Sequence, residues 1–117
     1  MVTFRDLLRS ARDSICEVDV DVGASLLDQG HVLLDVREPD EYEQGAIPGS
    51  IHISRGTLET VIESRITDRD TPIVVLCAGG TRSAFAAQTL GQLGYTDVTS
   101  MAGGFNGWKD AGKPWGT

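Results

Sequence analysis

Apolar positions along the chain alternate between short unbroken runs and stripes at helical spacing. The strongest run is Ile73-Val74-Val75-Leu76, four consecutive apolar residues that read as a buried strand. Val32-Leu33-Leu34-Asp35-Val36 reads the same way, and Ile51-His52-Ile53 gives a short alternating strand. His52 then projects to the face opposite its isoleucine neighbours, where a hydrogen-bonded histidine is expected rather than a metal ligand. Val18 with Val20 marks a brief extended segment, and Val98 with Met101 a last short strand.

Helical stripes fill the intervals. Phe4, Leu7, Leu8 and Ala11 predict an amphipathic helix over 3–13, expected to dock its apolar stripe on its own domain. Ala24, Leu26 and Leu27 predict a helix ending at Gly30, a residue suited to the position after a helix end. Pro39 opens a short helix through Asp40–Gln44. Leu58, Val61 and Ile62 place a helix over 57–65, and a further one runs from Ala84 to Leu93 before Gly94 stops it. A last helix spans 105–110, with Phe105 and Trp108 on one face, expected to close the core, with framing the Cys77 pocket as the alternative; 112–117 reads as a tail. Strands alternating with helices imply a single α/β domain, a mostly parallel sheet with helices on both faces.

Composition narrows the function. With 117 residues and a net charge of −7, the chain is one acidic domain, so nucleic acid and anionic membranes are not expected partners. No apolar run approaches the roughly 18 residues of a membrane span. Residues 1–16 carry Arg5, Arg9 and Arg12 but no unbroken apolar stretch, and Asp6 and Asp13 break a transit-peptide pattern, so a cytoplasmic location is expected. Both cysteines, Cys16 and Cys77, are then expected reduced. Cys16 is expected to pack under the N-terminal segment, with a resolving thiol as the alternative. No cluster has metal-ligand spacing, and no cofactor is implied.

The candidate chemistry sits where the strongest strand ends. Cys77 is followed by Ala78, Gly79, Gly80, Thr81, Arg82 and Ser83, and then by the helical stripe. Glycines at 79 and 80 allow a tight turn whose N–H groups point inward, next to the free N–H groups of a helix start. Arg82 adds positive charge at the rim. A thiol over such a cradle is favoured as thiolate and needs no adjacent histidine as base. A buried structural cysteine is the bland alternative, but it would require neither the glycines nor the arginine. Asp35 and Arg37, at the end of the preceding strand, are either catalytic groups or an ion-paired framework.

Cys-Ala-Gly-Gly-Thr-Arg-Ser after an apolar strand resembles the active-site loop of rhodanese-like domains. Asp35-Val36-Arg37-Glu38 with Glu41-Tyr42, then Gly45-Ala46-Ile47-Pro48-Gly49-Ser50, resembles the family's upstream signature, and Gly103-Gly104-Phe105-Asn106-Gly107-Trp108 its C-terminal one. The chain departs from the family at Ala46, where histidine is usual. The resemblance implies a five-stranded domain over 18–117 preceded by a helical extension over 1–17. It implies a sulfurtransferase that moves sulfane sulfur through a Cys77 persulfide, with the Ala78–Ser83 loop holding the outer sulfur. Asp35 and Arg37 would be its framework. Implied partners are a small sulfur donor, a thiol or cyanide acceptor, and a protein persulfide as a further donor or acceptor; the expected assembly is a monomer or weak homodimer. With Arg82 as its sole loop cation, the site is expected to use thiosulfate poorly to moderately. Two other readings stand beside this one. One is a persulfide carrier or binding module without turnover. The other is a phosphatase or arsenate reductase of similar fold, whose loops place five residues between cysteine and arginine where this chain has four.

Overall fold

A computed structural model describes all 117 residues. The elements run α1 (Phe4–Asp13), β1 (Cys16–Val18), α2 (Val20–Asp28), β2 (Val32–Asp35), α3 (Pro39–Gln44) and β3 (Ile51–His52). After a short 3₁₀ turn come α4 (Leu58–Arg65), β4 (Ile73–Leu76), α5 (Thr81–Gln92), β5 (Val98–Met101) and α6 (Gly104–Asp110). The five strands lie in the order β1-β5-β4-β2-β3, and all four pairings are parallel.

Strand periodicity divides the core. Along β4, Ile73 and Val75, continued by Cys77, face a cluster built with Leu58 and Ile62 of α4 and Ala86 and Leu90 of α5. Val74 and Leu76 face the other side, against Val20 of α2 and Phe105 and Trp108 of α6. All four β4 residues are fully buried, as an unbroken apolar run requires of a central parallel strand. Helix α1 adds an outer layer on α5: Ala11 is fully buried, while Phe4 reaches Phe85 with ring centroids 6.2 Å apart. Phe4 and Leu7 otherwise stay exposed, so only part of the expected stripe docks.

The connections position the site. From β2 the chain moves outward to β3, then crosses to β4 on the other side and continues to β5. The direction of winding therefore reverses between β2 and β4, and a crevice opens at their carboxyl ends.

Four local expectations change. Val20 is helical, because Asp19 caps α2 by accepting the Val22 N–H at 2.9 Å and so ends the extended segment at Val18. Helix α5 begins at Thr81, which places Arg82 and Ser83 in its first turn. Cys16 lies on edge strand β1 with its side chain exposed, and does not pack under α1. Residues 112–117 are anchored: Ala46 and Gly116 exchange backbone hydrogen bonds of 2.8 and 2.9 Å, and Trp108 Nε1 donates to the Pro114 carbonyl at 2.8 Å. His52 meets its expectation, with Nε2 2.8 Å from the Arg37 carbonyl and its ring stacked on Tyr42.

Candidate active site

Cys77 follows the last residue of β4 and is 1 % exposed. Gly80 adopts φ +103°, the left-handed conformation that glycine takes without penalty. This turn brings the Gly80 N–H to 3.0 Å from Cys77 Sγ. Gly79, expected to share the turning, is exposed and has no positive φ. Immediately beyond, the N–H groups of Thr81, Arg82 and Ser83 have no acceptor within the protein. They are the unpaired donors of a helix start, and the helix dipole adds partial positive charge there.

Beneath the sulfur lies a pair of hydroxyls. Ser83 Oγ is 3.5 Å from Sγ, and Ser100 of β5 donates to Ser83 at 2.9 Å; both serines are fully buried. A hydroxyl donates or accepts by rotating. Ser83 can therefore accept from the thiol or donate to the thiolate, with Ser100 supporting the second arrangement.

Arg82 is not a free rim charge. Its two terminal nitrogens reach Glu41 of α3 at 2.6 and 3.0 Å, a bidentate pair. Hydrogen bonding from Arg82 holds the Glu41 carboxyl at about 2, and Glu41 in turn raises the arginine. The pair straps α5, which carries the loop, to α3 across the crevice.

A profile of the rhodanese-like domain family matches residues 19–111. This chain belongs to that family. Among curated relatives, the thiosulfate sulfurtransferase GlpE of Pseudomonas syringae pv. syringae is 41% identical over 85 residues, 73% of this chain and 78% of that one. A protein of unknown function from Rhodopseudomonas palustris, described as a possible tyrosine phosphatase, superposes with a TM-score of 0.89 at 35% identity, covering 97% of this chain and 94% of that one. The 30 kDa polysulfide-sulfur transferase homodimer of Wolinella succinogenes gives 0.83 at 29% identity, over 96% and 85% of the two chains. Rhodanese-family sulfur transfer runs through a cysteine persulfide, and Cys77, buried just past β4, is the thiol in that place.

The rhodanese crevice also gathers Asp35 and Arg37. Asp35 is fully buried and Arg37 3 % exposed, joined by contacts of 2.8–3.1 Å. Arg37 also donates to the Gly45 carbonyl at 2.8 Å and lies 4.2 Å from the centre of the Phe105 ring. Such a pair fixes geometry more than it adds stability, and losing one partner would strand a buried charge at a cost of about 3–5 kcal/mol.

The Gly103–Trp108 motif contributes in ways that its spacing does not encode. Phe105 and Asn106 donate backbone N–H groups to the carbonyls of Cys77 and Ala78, at 2.8 and 3.1 Å. Gly104 makes that approach possible, since a Cβ there would sit 2.6 Å from the Ala78 carbonyl oxygen. Trp115 packs edge-on against Phe105 at 5.7 Å, over Gly45, whose missing Cβ leaves the space. Phe105 thus closes the core and also walls the crevice. Cys16 pairs in register with Thr99, and Thr99 with Val74. It is therefore two strands across and three residues back from Cys77, roughly 10 Å in each direction. That spacing is too long for a disulfide between Cys16 and Cys77 in this fold.

Proposed function

We propose that the chain is a single-domain sulfurtransferase in which Cys77 carries sulfane sulfur and the Ala78–Ser83 turn receives it. The observation that carries this reading is the buried thiol with the Gly80 N–H 3.0 Å from Sγ, beside the three unpaired N–H groups of α5. The Cys77 thiolate attacks the outer sulfur of thiosulfate; the S–S bond breaks, sulfite leaves with the electron pair, and Cys77–S–S⁻ forms. Cyanide or a thiolate then attacks the outer sulfur and returns the pair to Cys77 as the thiolate. The unpaired amides stabilise the negative outer sulfur between the two halves. Asp35 and Arg37 act as framework, holding the loop after β2 against α6.

Thiosulfate is a poor to moderate donor on this reading, because Glu41 occupies Arg82. A phosphatase reading, which the Rhodopseudomonas palustris neighbour invites, meets the same obstacle: the arginine that would bind phosphate is already paired. Both cysteines are unpaired, which suits a reducing compartment such as the cytoplasm, and no helix is long and apolar enough to cross a membrane. The exposed Met1, Val2, Phe4 and Leu7 suit a monomer or a weak homodimer.

Intact mass before and after thiosulfate tests the reading. The expected result is a gain of one sulfur, about 32 Da, reversed by a thiol reductant and absent in Cys77→Ser. Turnover with cyanide completes the transferase. A gain only from a protein persulfide points to a carrier, and no gain from either donor overturns the proposal.

A further inference from the structure

The crevice beside the loop holds a cavity of about 240 Å³ that touches the loop at Ala78. That is many times what one water needs, and more room than a single small inorganic anion fills. Its charges are largely matched in pairs. Arg37 is held by Asp35, and Glu41 by Arg82. One charge is left over, Lys109 on α6, which has no carboxylate within 4.0 Å. The chain's other lysine, Lys113, is paired with Asp21 at 3.1 Å.

Lys109, an exposed side chain, leans over the crevice wall. It lies one helical turn beyond Phe105, so the two share a face of α6. Its ammonium lies 4.9 Å from the centre of the Phe105 ring and 5.5 Å from Trp115. The first turn of α6 is itself tied to the loop through the Phe105 and Asn106 N–H groups. The cavity thus joins an aromatic wall, one unmatched cation, the carboxamide residues Gln44 and Asn106, and an edge at the residue after Cys77. Trp115 lies beyond residues 19–111, so this wall is built partly by sequence outside the family profile.

We propose that this cavity is the acceptor subsite, and that its ligand is an organic thiol bearing a carboxylate, such as a short cysteinyl peptide. This rests on the sulfurtransferase reading. The carboxylate pairs with Lys109, the carbon chain lies against Phe105 and Trp115, and the thiolate reaches past Ala78. That thiolate attacks the outer sulfur of Cys77–S–S⁻ and forms R–S–S⁻; the old S–S bond breaks and its electron pair returns to Cys77. No oxidant or reductant is consumed.

The test uses three thiols of similar size and different charge as acceptors: 3-mercaptopropionate, 2-mercaptoethanol and 2-mercaptoethylamine. For each, the variant-to-wild-type ratio of kcat/KM cancels the thiol's own reactivity. Lys109→Gln is expected to lower kcat/KM for 3-mercaptopropionate about five-fold through KM, with little effect on 2-mercaptoethanol and no loss for 2-mercaptoethylamine. Lys109→Arg is expected to restore most of the preference. Trp115→Ala is expected to raise KM for a cysteinyl dipeptide more than for 2-mercaptoethanol. Equal effects of Lys109→Gln on all three thiols overturn the subsite, and so does a selective rise in the thiosulfate KM. If wild-type protein gains no sulfur on Cys77, the sulfurtransferase reading itself has failed. If the persulfide forms and turns over with cyanide while the charge series stays flat, only the subsite has failed.

Discussion

Two strand-to-helix turns lie side by side at the carboxyl end of the sheet, one after β4 and one after β5. Both place a left-handed glycine at a helix start, Gly80 with φ +103° and Gly103 with φ +87°. A Cβ on Gly80 would come within 3.3 Å of the Gly103 N, so the turns touch. Their N–H groups have different destinations. The β4 turn aims the Gly80 N–H at sulfur and leaves those of Thr81, Arg82 and Ser83 unpaired, whereas the β5 turn directs the Phe105 and Asn106 amides of α6 to the carbonyls of Cys77 and Ala78. One turn is an open cradle, and the other is its backing. Unpaired donors at the first turn are what binding negative sulfur requires, and the satisfied donors at the second keep the first in shape.

Breaking the backing should have the largest effect. Gly104→Ala puts a methyl into the carbonyls of Cys77 and Ala78 at φ +58°, and should cost about 3 kcal/mol and most of the sulfur transfer. Chemical denaturation alongside the persulfide mass assay measures both. Gly80→Ala should come next, losing about 1–2 kcal/mol from its left-handed backbone, and at least ten-fold in activity as its N–H leaves Sγ. Gly79→Ala is the control within the same loop. A Cβ there meets nothing within 4 Å, so stability should stay within about 0.5 kcal/mol. Equal damage at 79 and 80 would mean that loop softness matters, and not the one aimed amide.

A smaller effect should come from the strap to α3. Glu41 titrates at about 2 in the folded protein against an ordinary value of 4.5. A carboxyl lowered on folding contributes stability above its unfolded value and loses it as pH falls through the folded one. The difference between wild type and Glu41→Gln should therefore be flat above about pH 5, at about 1 kcal/mol for this partly exposed bidentate pair, and should vanish between pH 4.5 and 2. Urea midpoints across that range measure it. Cys16→Ser should have the smallest effect, leaving sulfur transfer nearly intact, since Cys16 sits on an exposed sheet edge.

The cradle is legible in the sequence because its determinants are local. A four-residue apolar run, a cysteine, two glycines and a helical stripe are contiguous from Ile73 to Leu93. Even so, adjacency could not tell Gly79 from Gly80, since both lack a Cβ and only the folded turn assigns the positive φ to one. The backing and the crevice wall are harder to read. Glu41 meets Arg82 across 41 positions, and no period or spacing encodes that pairing. Trp115 lies in a six-residue segment too short for any periodicity, yet Gly116 joins it to Ala46, where the family's histidine is replaced. Asp19 stands between Val18 and Val20, so the alternation of a strand hides its role as the cap of α2.

The parallel sheet also sets an order in time. Edge strand β1 pairs only with β5, Cys16 opposite Thr99, so contacts across 83 positions (99 − 16) complete the sheet. The cradle is likewise unfinished until residues 105 and 106 supply their N–H groups. At roughly 5–20 residues per second, a ribosome leaves the emerging Cys77 without its cradle for seconds. The reactive centre is therefore complete only once Phe105 and Asn106, 28 and 29 positions further along, have docked on it.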